Sequence, residues 1–191
     1  KLLQKWDISK EKKIILVPGR LTSWQGQEVL IEAINLVTIE LGYEAFHVVI
    51  LGSDQGRDLY KKKLIRLVEQ YRLNNQIKFI ENCKDMALAY HVSDIVISPS
   101  IEPEAFGRVA VEAQSMGKLI IASNIGGSNE TIINGKTGFL FEAGDKSSLS
   151  KKIIQAITMD ETSLKLIGKE GRKNIIKKFN VEKMCFSTYS E

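Results

Sequence analysis

The sequence predicts a doubly wound α/β fold, a parallel sheet of about six strands with helices on both faces. Two observations carry this. Short apolar runs at residues 14–17, 47–51, 77–80, 94–97 and 118–122 are continuous rather than alternating, as strands buried on both faces require. Segments of helical periodicity separate them, and strand–helix alternation this regular makes a parallel sheet with crossover helices.

The elements follow in order. Residues 1–13 are polar and charged, with Leu2, Leu3, Trp6 and Ile8 as apolar anchors, and read as a linker entering a domain that spans residues 14–179. The first strand ends at Pro18-Gly19, and a helix with the stripe Leu30, Ala33, Ile34, Val37 and Leu41 follows. The second strand ends in the glycine-punctuated stretch 52–57, ahead of a helix with Tyr60, Leu64, Leu67, Val68 and Tyr71 on one face. The third strand leads through Asn82 and Cys83 into a short helix over 86–91. A short sixth strand is expected at 137–141. From Asp145 the chain is helical and increasingly basic, and residues 180–191 form a C-terminal helix or tail. His47 begins a strand and His91 ends a helix, and both read as structural.

Composition narrows the function. A chain of 191 residues with 43% hydrophobic and 26% charged residues has the make-up of an ordinary soluble globular domain. No apolar run approaches the roughly 18 residues of a membrane span, and no signal-peptide pattern opens the chain. The two cysteines, Cys83 and Cys185, lack metal-type spacing and suit a reducing cytoplasm. Two histidines argue against a His-based metal site. A net charge of +4 permits anionic ligands or a membrane surface and requires neither. The chain opens on Lys1 rather than Met, which leads us to expect that it is part of something longer.

The most informative stretch is 98–117, between the fourth and fifth strands. Pro99 and Pro103 exclude helix there. Phe106-Gly107 then opens a short helix with Val109, Ala113 and Met116 on its apolar side. Strand, acidic loop and helix together offer a ligand backbone amides and a positive helix end. Glu104 in the loop is poor for a bare phosphate and suits a ligand with both phosphate and hydroxyls, such as a nucleotide sugar. Plainer roles exist for the same residues. Arg108 and Glu112 are spaced as a surface pair worth about 0.2–0.5 kcal/mol, and Glu104 could simply complement the helix dipole.

The segment Glu104-Ala105-Phe106-Gly107-Arg108-Val109-Ala110-Val111-Glu112 resembles the E-x7-E motif of retaining glycosyltransferases of the large group 1 family (family 4), which have the two-domain GT-B architecture. The resemblance covers residues 14 to about 179 in order and spacing. It implies a Rossmann-like, nucleotide-sugar-binding domain in which Glu104 is the catalytic-site carboxylate holding the transferred sugar's hydroxyls. Glu112 would hold the ribose, and Ala105, Phe106, Gly107, Arg108 and Val109 would line the donor site with their amides. Gly19-Arg20 matches the family's phosphate-contacting turn. At the family's lysine position, just before Gly26, stands Gln25, which removes one positive charge. Gln25 is either a weakened donor contact or the end of a capping box, Thr22-Ser23-Trp24-Gln25. Asn82 and Cys83 fall where the family holds the nucleobase through backbone groups. Gly126-Gly127 and Glu130 resemble the family's G-G-x-x-E segment, although Glu130 alone reads as a helix N-terminal acid. The stretch 52–56 lacks G-x-G-x-x-G and follows the second strand, which argues against NAD; in the family it lines the donor cleft by main chain.

The implied activity is hexosyl transfer from a nucleoside-diphosphate sugar to a glycan or lipid-linked acceptor, in cell-envelope polysaccharide or lipopolysaccharide synthesis. Neither cofactor nor metal is expected, and no nucleic acid partner. The acceptor would be held by an N-terminal domain outside this chain, leaving the chain alone inactive. The location implied is the cytoplasm, with peripheral association with the inner membrane surface also allowed. Two rival readings share these features: a non-catalytic nucleotide-sugar-binding module and a GT-B-fold sugar-nucleotide epimerase.

Overall fold

The computed structural model describes residues 1–43 and 45–179. Six strands, β1 (Lys13–Pro18), β2 (Phe46–Leu51), β3 (Ile77–Ile80), β4 (Ile95–Ser98), β5 (Leu119–Ser123) and β6 (Phe139–Phe141), form one sheet in the order β3-β2-β1-β4-β5-β6. Every pairing is parallel, with Ile15 of β1 opposite both Val48 of β2 and Ile95 of β4. The chain winds outward from β1 to β3, then returns to lay β4 on the other side of β1. That reversal opens a crevice beyond the carboxyl ends of β1 and β4, the place where doubly wound sheets receive ligands.

The continuous apolar runs are explained by two cores. Ile15, Val17, Val48, Ile50 and Ile121 face one side, against Leu30 and Ile34 of α2 (Gln27–Leu41), Leu64 of α3 (Asp58–Gln70) and Ile153 of α7 (Lys146–Thr158). Ile14, Leu16, Val49, Val96 and Ile120 face the other, against Ala89 and Tyr90 of α4 (Met86–Val92) and Ala110 and Ala113 of α5 (Arg108–Ser115). Burying each such aliphatic side chain contributes about 1.5–3 kcal/mol, so both faces stabilise the sheet.

Residues 1–13 do more than connect. α1 (Leu2–Lys5) packs beside α4, and Leu3, Trp6 and Ile8 are buried in the second core. β6 is shorter than expected because residues 133–138 spend their hydrogen bonds on a turn. Thr137 N donates to Ile133 O and Gly135 N to Gly138 O, leaving the ladder to begin at Phe139. The helical C-terminal region divides in two, α7 and α8 (Glu161–Lys178). Asp145 caps the first by accepting from Ser147 N and Ser148 N, and Asp160 caps the second by accepting from Ser163 N. The expected C-terminal helix or tail over 180–191 lies outside the described residues. Among the described residues no helix is long and apolar enough to cross a membrane.

Candidate functional site

A cleft of about 650 Å³ occupies the crevice. Gly19, Arg20, Trp24 and Gln25 line one wall, from the loop after β1, and residues 102–109 line the other, from the loop between β4 and α5. The two walls are tied together. Ile101 N donates to Trp24 O at 2.8 Å, and a Cβ at Gly26 would lie 1.9 Å from Pro99 O, so only glycine lets the loops meet. A further loop, after β5, backs the acidic segment. Gly127 N donates to Glu104 O at 2.8 Å, and a Cβ on Gly127 would come within 2.5 Å of the Phe106 carbonyl carbon. Gly126-Gly127 therefore sets how closely residues 104–106 sit on the sheet. Glu130 is exposed in the one-turn α6 (Ser128–Thr131), outside the cleft lining.

Gly107 is the N-cap of α5, so the amides of Arg108 and Val109 have no intrahelical acceptor, and both residues lie at the cleft wall. They supply partial positive charge beside the exposed Arg20. On the same wall, Glu104 accepts two hydrogen bonds on one oxygen, Oε1. One comes from Ser100 Oγ at 2.7 Å and the other from Gln25 Nε2 at 2.8 Å. Anion-attracting and hydroxyl-accepting groups thus share one concavity.

The capping-box reading of Gln25 does not hold. Residues 23–25 form only a 3-10 turn, which the left-handed Gly26 ends before α2 begins. The Thr22 side chain makes no capping bond, its Oγ1 is buried without a partner, and the Gln25 amide turns to Glu104 instead.

Other expected site residues lie further out. Glu112 is exposed on α5, behind the cleft lining, and its Oε2 accepts the Tyr90 hydroxyl at 2.7 Å. Tyr90 is 2% exposed. Burial first, then its bond to Glu112, pushes the phenol far up, so the hydroxyl stays a neutral donor at any physiological pH. Asn82 and Cys83 follow the edge strand β3 and are not in the cleft lining. Asn82 is exposed, and the Cys83 thiol donates to Asp85 O at 3.2 Å.

Sequence reasoning passed over Ser100, Tyr90 and Trp24. Trp24 lines the cleft, and the Arg57 guanidinium stands 5.9 Å from its ring centroid, joining the loop after β2 to the site. A Pro-Ser pair directly after a strand was the available signal for Ser100. Phe106 packs edge-on against Phe179 at the end of α8, with ring centroids 5.6 Å apart. Among the described residues no three His, Cys, Asp or Glu side chains gather in a way that could hold a metal ion.

Comparison with known proteins bears on this geometry. Residues 1–174 match the family model described as "Glycosyl transferases group 1". The capsular polysaccharide biosynthesis glycosyltransferase CapM of Staphylococcus aureus is 28% identical over 162 residues, which is 85% of this chain and 41% of that protein. A glycosyltransferase crystal structure from Rickettsia africae superposes with a TM-score of 0.92 at 35% identity, covering 99% of this chain and 49% of that one. Anabaena HepE, solved in complex with UDP and glucose, gives 0.88 at 26% identity, covering 100% and 51%. The chain thus spans about half the length of these relatives.

Proposed function

Because the chain belongs to the group 1 glycosyl transferases, we propose that it binds the nucleoside-diphosphate sugar of a retaining glycosyltransferase. One observation carries the reading. The cleft at the β1/β4 switch point is lined at once by Arg20, by the free amides that open α5 and by Glu104. Arginine offers a planar fork to a diphosphate. Together with the helix amides it would stabilise the negative charge that grows on the departing nucleoside diphosphate as the glycosidic C–O bond breaks. Glu104 would receive hydroxyls of the hexose, and Glu112, fixed by Tyr90, those of the ribose.

The neighbour solved with UDP and glucose supports a uridine nucleotide as the first to try. The capsular polysaccharide relative supports a glycan or lipid-linked acceptor of the cell envelope. Since the relatives are about twice as long, the acceptor site is proposed to lie in a part of the enzyme outside this chain, which would then transfer nothing by itself. Holding the two reactants together supplies about 7–11 kcal/mol of such a barrier. We place the enzyme in the cytoplasm, at or near the inner membrane surface where a lipid-linked acceptor would be met. The phosphate charge is met by Arg20 and helix amides, and neither cofactor nor metal is part of the proposal.

Titration calorimetry with UDP, GDP and ADP, each with and without EDTA, tests this. The expected result is binding of at least one of them, with an affinity that EDTA leaves unchanged. Failure of all three to bind overturns the reading, and binding lost to EDTA contradicts the metal-free clamp.

A further inference from the structure

We infer that Ser100 and Gln25 are positioning residues that orient Glu104 and decide how the hexose is received. This rests on the reading of Glu104 as the carboxylate facing the hexose. A carboxylate oxygen has two lone-pair sites. On Oε1 of Glu104 both are taken, by Ser100 Oγ and Gln25 Nε2. Only Oε2 is left for ligand hydroxyls, in one fixed direction.

Both donors are themselves held. Ser100 is 5% exposed, directly beyond the end of β4. The Gln25 side chain fills the space that Gly19 leaves, since a Cβ on Gly19 would lie 2.7 Å from Gln25 Oε1. Neither donor carries charge, so neither sets a counter-ion against the Glu104 side chain. The Gln25 amide is engaged on the hexose side of the cleft, which takes it out of the diphosphate clamp that its sequence position suggested. Residue 25 and residue 104 are 79 positions apart, and only the fold brings them together.

The test is a pair of titrations of the 191-residue chain, with UDP and with UDP-glucose, whose readout is the ratio of the two dissociation constants. The unsubstituted chain is expected to bind UDP-glucose more tightly than UDP. Ser100→Ala and Gln25→Met each remove one donor at nearly constant volume, and each is expected to lower that preference at least about tenfold, the scale of one charge-assisted hydrogen bond. Ser100→Thr keeps the hydroxyl and is expected to retain it. A ratio unchanged in Ser100→Ala and Gln25→Met overturns the inference, as does an equal loss of affinity for both ligands, which would return Gln25 to the diphosphate. Failure of the unsubstituted chain to bind either ligand overturns the donor-site reading, and this inference with it.

Discussion

Arg20→Ala is expected to weaken UDP binding about 10- to 100-fold, because hydrogen bonds to charged groups are worth about 1.5–3 kcal/mol and each 1.4 kcal/mol is a factor of about ten. The fold should hardly notice. Arg20 is exposed, and its part in the scaffold is played by its backbone carbonyl, which accepts from Gln27 Nε2 at 2.9 Å. The melting temperature of the unliganded variant is therefore expected to stay within about 2 °C of the parent, less than the shift from 1 kcal/mol in a domain of this size. Arg20→Lys should fall between the two, since an ammonium keeps the charge and loses the fork. The deficit should also shrink as salt is raised, because the exposed charge is screened. Calorimetric titration at two ionic strengths reads all of this. An Arg20→Ala variant that binds UDP like the parent removes arginine from the clamp.

Gly127→Ala is expected to cost both stability and ligand affinity. The added methyl would meet Phe106 backbone atoms at 2.5–2.8 Å, and a backbone cannot swing aside as a flexible side chain would. The φ of Gly127 is −60°, so the strain is contact alone and not an unfavourable dihedral. Overpacking of this kind costs about 1–3 kcal/mol, or about 2–12 °C in melting temperature for a domain of this size. The acidic loop must lift away from the sheet, taking with it Glu104, whose carbonyl is bonded to Gly127 N. Displacement of the α5 amides by even 1 Å should lower UDP affinity at least about tenfold, one factor of 1.4 kcal/mol. Thermal melts with and without UDP check it. Loss of stability without loss of affinity would mean that the glycine pair serves packing only.

The strands were legible because burial on both faces leaves no polar alternation to confuse them, and each expected strand has its counterpart in the sheet. Their boundaries were less so. At 137–138 a turn took the hydrogen bonds that a strand would have used, and no residue type announces that. The acidic loop and its helix were readable from Pro103, Glu104 and Gly107, which are local features. What holds Glu104 and Glu112 in place was not. Gln25 meets Glu104 across 79 positions, and Tyr90 meets Glu112 across 22. Such pairs leave no periodic trace, and Tyr90 in isolation reads as one more apolar residue of α4. Gln25 misled for a related reason: its capping pattern is local and plausible, while the partner that claims its amide is distant. Gly126-Gly127 stood out only through likeness to a family, and its backing role was not legible, since the need for a missing Cβ appears only when Phe106 is laid against it.

The most direct test of the central claim is amide hydrogen exchange of the chain with and without saturating UDP-glucose. Slowed exchange is expected at residues 106–109 and around Arg20, on the two walls of the switch-point cleft. A second depression of about 630 Å³, lined by Asp7, Lys12, Asn75 and Lys78 among others at the amino ends of the strands, serves as the internal control and should not respond. Slowed exchange confined to that opposite end, or none at 106–109 while the ligand is bound, would contradict the account.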